Sequence, residues 1–213
     1  MKKYLIGIIL ALTIFSCKKD DSQKDYSSFL KQSSQTFQGE LDKSYFSMSY
    51  GGSSGYQSTA GYENGNGVCD STDPVRVVLF GLTAVNDSKK SFILYSPKFN
   101  TTSESEISKV FSIGKKKLGA YRSDFYLRIT QGNKLYESNG FNNTNEIEIL
   151  KTVEYIDNIS KMRTLRVWFR LDAKLSSCGC ESNSSVLSNG LMIAEFIGVR
   201  NGNTSVPLKS GRY

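Results

Sequence analysis

The sequence predicts an all-β fold: a two-sheet antiparallel β-sandwich of nine or ten strands with one short helix, a β-barrel being the alternative closure. Three observations lead there. Apolar and polar residues alternate with period two over most of the chain beyond residue 37. Gly, Asn, Asp and Ser punctuate those runs, with 18 Gly in a chain of 213 residues. Only residues 103–111 change to helical spacing.

In chain order, residues 44–50 alternate, and a second run follows at 56–62 after Gly51-Gly52-Ser53-Ser54-Gly55. That pattern predicts a hairpin with a five-residue loop, Tyr50 facing Tyr56. Residues 75–85 are apolar on both faces, as in a central strand, and 91–96 return from it after Asn86-Asp87-Ser88. Ser103-Glu104-Ser105-Glu106 is a capping-box pattern, with Ile107, Val110 and Phe111 at helical spacing behind it. Residues 124–131 put Phe125, Leu127 and Ile129 on one face, and Gly132-Asn133 turns into 134–138. Residues 145–156 set Ile147, Ile149, Val153 and Tyr155 against Glu146, Glu148 and Glu154. Residues 164–174 set Leu165, Val167, Phe169 and Leu171 against Arg166, Trp168, Arg170 and Asp172. Residues 191–199 complete the folded domain, which is expected over 37–200, and 201–213 form a Gly/Ser/Asn-rich tail expected to fray.

The amino terminus carries an address. Met1-Lys2-Lys3-Tyr4 is a short basic region followed by eleven apolar residues, Leu5 to Phe15. A helix of that length rises about 16 Å, roughly half of a ~30 Å hydrocarbon core. Residues 1–16 therefore read as a signal peptide. Ile14-Phe15-Ser16-Cys17 resembles a bacterial lipobox, which implies cleavage before Cys17 and acylation of its sulfur and amine. Cys17-Lys18-Lys19-Asp20-Asp21 is similar to the acidic export signal of Bacteroidota lipoproteins, which implies an outer-membrane lipoprotein at the cell surface, with the periplasmic face as the alternative. Two or three acyl chains would anchor it stably. The rest of 17–36 is polar and is expected to be a flexible tether. The layout of 37–199 is also similar to β-rich lipoproteins of the Bacteroidota: a Gly/Tyr-rich hairpin, a capped helix running into Phe111-Ser112-Ile113-Gly114, and Leu135-Tyr136-Glu137-Ser138 before an Ile-x-Ile strand. That resemblance implies a fold and no activity.

Composition excludes several chemistries. There is no His, so His-dependent triads and His-ligated zinc are ruled out. The formal charge of +7 falls to about +5 once Lys2 and Lys3 are removed. It is spread along the chain, with Lys115-Lys116-Lys117 the longest basic run, and reads as a solvated surface and not as a nucleic-acid stripe. Cys69, Cys178 and Cys180 remain beyond Cys17. Outside the cytoplasm, a long-range disulfide from Cys69 to Cys178 or Cys180 is the expected state. A strained Cys178–Cys180 ring and a soft-metal or redox Cys-Gly-Cys site are the alternatives. The acids and amides of 63–67 and 70–73 supply oxygen donors without EF-hand spacing and are read as turns, with a bound calcium ion as the alternative. Asp70-Ser71-Thr72 also resembles a short O-glycosylation signal of exported Bacteroidota proteins.

Arg166, Trp168 and Arg170 share one face of a single strand. They are either cross-strand packing beside the acids of 145–156, or an exposed platform that stacks and hydrogen-bonds a sugar or anionic polymer. No catalytic residue, cofactor or metal site is indicated. The expectation is a membrane-anchored, non-catalytic module that binds a glycan or an envelope protein. A carboxylate-based glycoside hydrolase and a purely structural envelope partner are the alternatives.

Overall fold

The computed structural model describes residues 25–51, 56–64, 74–139, 145–158, 161–177, 180–197 and 199. In chain order these form α1 (Ser27–Lys31), β1 (Thr36–Leu41), β2 (Ser44–Ser49), β3 (Tyr56–Asn64), β4 (Val75–Ala84), β5 (Asp87–Tyr95) and β6 (Phe99–Asn100). Then follow α2 (Glu104–Phe111), β7 (Gly114–Lys117), β8 (Tyr126–Gln131), β9 (Lys134–Glu137), β10 (Glu146–Ile156), β11 (Arg163–Ser177) and β12 (Cys180–Ile197). The all-β expectation holds. Of the two closures it left open, the strands take the barrel: they join in one sheet that is nearly closed. Its order is β2-β1-β12-β11-β9-β8-β5-β4-β3. One edge of β11 is shared, by β10 along Arg163 to Asp172 and by β9 at Ser176 and Ser177, and β10 carries β7 on its far side.

The barrel interior is filled by side chains. Phe37 of β1 stacks on Phe92 of β5 with ring centroids 4.2 Å apart, joining opposite walls. Phe80, Leu94, Leu127, Phe169 and Met192 are fully buried in the same cluster. Each such side chain contributes roughly 1.5–3 kcal/mol relative to exposure. The helix α2 packs Ile107 and Phe111 into this core. Phe111 meets Phe99 at 5.6 Å and Phe196 at 5.4 Å. The cap expected from the sequence is present in half: Ser103 Oγ accepts the Glu106 N–H at 3.3 Å, while the Glu106 carboxylate accepts from the Asn100 N–H at 2.8 Å.

Three expectations are corrected. The strands β2 and β3 do not form a hairpin; each is an edge of the sheet, so Tyr50 does not face Tyr56. The strand β2 pairs instead with β1 across a tight turn in which Asp42 and Lys43 have φ of 51° and 66°, the two positive values of a type I′ turn. Asp42 is held there because its N–H donates to the Val186 carbonyl and its carboxylate accepts from the Val186 N–H, at 2.9 and 2.8 Å. The edges β2 and β3 still lie near one another, since the Lys90 ammonium sits 5.3 Å from the Phe46 ring and 5.6 Å from the Tyr56 ring.

Part of the segment expected as tether is folded. From residue 25 the chain is folded: α1 lies on the outside of the barrel with Phe29 3% exposed, and the Tyr50 N–H donates to the Gln35 carbonyl. One buried aromatic side chain on a five-residue helix is enough to hold a segment that composition reads as mobile. The third correction is one of phase. A bulge at Leu150 in β10 inverts the alternation, so Val153 and Tyr155 do not continue the inward face of Ile147 and Ile149. Val153 packs on the outer wall beside Trp168, and Glu154 pairs with Arg163 at 3.5 Å. The leader, Cys17, Cys69, Cys178, residues 65–73 and the tail 201–213 lie outside the described residues. Cys180 opens β12 opposite Ser177.

Candidate functional site

The outward face of β11 brings Arg166, Trp168 and Arg170 into line as the alternation requires, but the tryptophan is not an exposed platform. Trp168 is 3% exposed, covered by Phe29 and packed against Ile193. Its indole N–H donates to the Gln32 carbonyl at 3.2 Å, and the Lys151 ammonium lies 4.7 Å from its ring while donating to the Leu30 carbonyl at 3.1 Å. The arginines are engaged as well. Arg166 pairs with Glu195 at 2.6 Å and lies 4.9 Å from the Tyr155 ring. Glu195 also accepts from the Gln35 amide. Arg170 meets Glu148 at 3.3 Å and Asp172 at 3.8 Å. The Tyr26 hydroxyl, and then Glu148, hold the Arg170 guanidinium in its charged form. Cross-strand packing is therefore what this face does, and the platform reading is set aside.

Of the acids expected beside these arginines, Glu148 reaches Arg170, whereas Glu146 reaches Lys115 at 2.7 Å. Together Lys115, Glu146, Glu148, Arg170 and Asp172 border a shallow hollow of about 200 Å3. Its charges satisfy one another.

A second cavity differs in kind. Between α2, the strand end at Pro97 to Phe99 and the segment 116–125 lies a cleft of about 450 Å3, within the size range of small-molecule sites. Phe99, Val110 and Phe125 form its apolar part. Four lysines line it: Lys98, Lys109, Lys116 and Lys117. The fold places each for a local reason. Lys109 stands in the last turn of α2, where a cation opposes the helix dipole. Lys116 and Lys117 end β7, and Lys98 follows the close of β5, its N–H donating to the Arg122 carbonyl at 2.9 Å.

The four ammonium groups have different partners. Lys117 meets Asp124 at 3.2 Å. Lys116 donates to the Lys109 carbonyl at 2.9 Å and to Ser112 Oγ at 2.6 Å, both neutral acceptors, so it caps α2, and no carboxylate among the described residues pairs with it. Burial pulls its ammonium below the ordinary lysine range. Among the described residues, Lys98 and Lys109 place no ammonium hydrogen bond or ion pair. The cleft's two carboxylates hold its walls: Asp124 also accepts from the Ala120 N–H at 3.1 Å, and Glu106 accepts from Asn100. What remains is surplus positive charge over an apolar floor, an arrangement that suits a small organic anion.

No protein-family model matches the chain, and comparison with curated proteins and with solved structures finds no match either.

The sequence carried one signal for this cleft, the Lys115-Lys116-Lys117 run, which reads as solvated surface because nothing local shows what it faces. Lys98 and Lys109 stand alone in the sequence and reach the cleft only through the fold. Among the described residues no group of three acids or cysteines is placed to hold a metal ion, and no helix is long and apolar enough to cross a membrane.

Proposed function

We propose that this chain is a lipid-anchored cell-envelope protein, displayed at the cell surface through Cys17, whose barrel is a non-catalytic module that binds a glycan or an envelope partner. The observation that carries the binding half is the lysine-lined cleft beside α2. The barrel interior is packed with side chains, so a ligand meets the protein from outside, and the cleft is where unpaired cations and apolar surface coincide. Its carboxylates brace the walls, which favours binding over hydrolysis. The address rests on the leader and on Cys17-Lys18-Lys19-Asp20-Asp21.

Growth with an alkyne-tagged palmitate tests the address. The wild-type chain takes up the label, Cys17→Ala does not, and protease added to intact cells digests the labelled barrel. An unlabelled wild-type chain, or equal labelling of the Ala variant, refutes the anchor. Labelled protein that resists protease until the outer membrane is opened moves the barrel to the periplasmic face.

A further inference from the structure

We propose that the cleft between α2 and the segment 116–125 is a binding site for an acidic saccharide, its carboxylate or sulfate held by Lys98 and Lys109 and its ring seated against Pro97 and Val110. The inference rests on the binding-module reading and narrows it to one ligand class.

The charge balance of the cleft comes first. Lys117 is neutralised by Asp124, and Glu106 is turned to the Asn100 N–H at the entry to α2. Lys98, Lys109 and Lys116 therefore face the cavity with one carboxylate among them. Lys116 is held rigidly by the last turn of α2, and of its three donors two are used, leaving one N–H for a ligand. An ammonium partly withdrawn from water beside neutral acceptors gains when an anion arrives, because the anion restores the charged form that burial disfavours. An anion bonded to Lys98 and Lys109 would at the same time supply acceptors for two donors that have none among the described residues.

The apolar side separates a saccharide from a bare ion. Phe99 and Phe125 are almost fully buried beneath the cavity, and the half-buried Pro97 and Val110 supply its open apolar surface. A simple anion such as phosphate would leave that surface wet, whereas a sugar ring has an apolar face to cover it and hydroxyls for the Ser123 side and the walls. The volume of about 450 Å3 suits one or two rings, not a polymer bound along its length. Flat polymer recognition would need a run of exposed cations on one wall, and the lysines here converge on a hollow.

The test is isothermal titration of the full chain in detergent with digalacturonate, maltose and inorganic phosphate. Digalacturonate should bind saturably at one site, at least tenfold tighter than maltose or phosphate. Affinity should fall between low salt and 0.15 M salt, as for any partly exposed charge contact. The double variant Lys98→Gln/Lys109→Gln should weaken binding at least about tenfold, the loss expected for a charge-assisted hydrogen bond. Lys134→Gln, at the start of β9 and paired with Gln131 at the far end of β8, should bind as the wild type does. Charge reversal at exposed Lys98 (Lys98→Glu) gives the same reading from one substitution if the double variant misfolds. Maltose equal to digalacturonate overturns the acid requirement. Phosphate equal to digalacturonate overturns the sugar. Undiminished affinity in the lysine variants, or no digalacturonate binding at all, overturns the site. Each of those failures leaves Cys17 labelling untouched, so the envelope assignment and the ligand class fall separately.

Discussion

Replacing Phe29 with Ala should release α1 from the barrel wall, and Trp168 should report it, because it is the only tryptophan in the chain. Phe29 and Trp168 are each 3% exposed and cover one another. Removing the ring forfeits roughly 2–3 kcal/mol of burial. The Trp168–Gln32 hydrogen bond, worth about 1 kcal/mol, goes with it if the segment lifts away. Since α1 can leave without opening the sheet, the loss is capped by the docking energy itself, about 3–4 kcal/mol. For a domain of this size that corresponds to a fall in Tm of about 6–16 °C. The assay is tryptophan emission with acrylamide quenching, followed by thermal unfolding. Emission should shift to the red and quenching should rise at temperatures well below unfolding. Unchanged emission and quenching together with an unchanged Tm would show that the segment is not docked, and the argument from Phe29 would be void.

Three further outcomes follow from local geometry. A methyl group at Gly190 would lie 2.7 Å from the Leu171 carbonyl oxygen, a backbone atom, whereas at Gly39 the nearest approach is 3.1 Å; chemical denaturation should find Gly190→Ala destabilised by about 2–3 kcal/mol and Gly39→Ala by less. Glu195→Ala strips Arg166 of its partner in a partly buried setting and should cost about 2 kcal/mol, while Glu146→Ala breaks an exposed pair and should leave the unfolding midpoint almost where it was. Burial, and then the Glu137 and Glu195 carboxylates, push the Tyr126 and Tyr155 hydroxyls up to about 12. Their folded values exceed the unfolded value near 10, so the stability they contribute is complete below pH ~10 and is lost as pH rises toward 12. Ultraviolet titration should show a fraction of the tyrosines ionising late, with the unfolding midpoint falling over the same interval; a midpoint flat from pH 10 to 12 would contradict the assignment.

What could be read from the sequence was decided by local pattern. The alternation in 164–174 located the interior face of β11, with Val167, Phe169 and Leu171 fully buried, and the Ser103 cap located α2. The Gly132-Asn133 turn lies where expected, Gly132 with φ of 63°. Pairing was not legible, because it depends on distant partners. The Gly-rich stretch between β2 and β3 looks like the hairpin loop, whereas Asp42-Lys43, which turns β1 into β2, contains no glycine to announce it. Bulges were invisible for the same reason: nothing around Leu150 signals the shift that moves Val153 outward. The first half of β12 is Ser- and Asn-rich and is strand because β11 pairs along it, β1 joining only from Leu187 onward. The cleft was the least legible feature of all, since its lysines come from three separate segments.

One neighbour of β1 is β12, so the first described strand of the sheet waits for the last. A ribosome-bound nascent chain holds β1 and β11 without the strand that joins them, and their inward residues have nothing to close upon. Closure must follow synthesis of β12, and long-range pairings of this kind assemble slowly. A shortened product ending before residue 180 would lose the staple between the two halves of the wall, and should persist as a sticky, protease-sensitive intermediate and not as a smaller barrel.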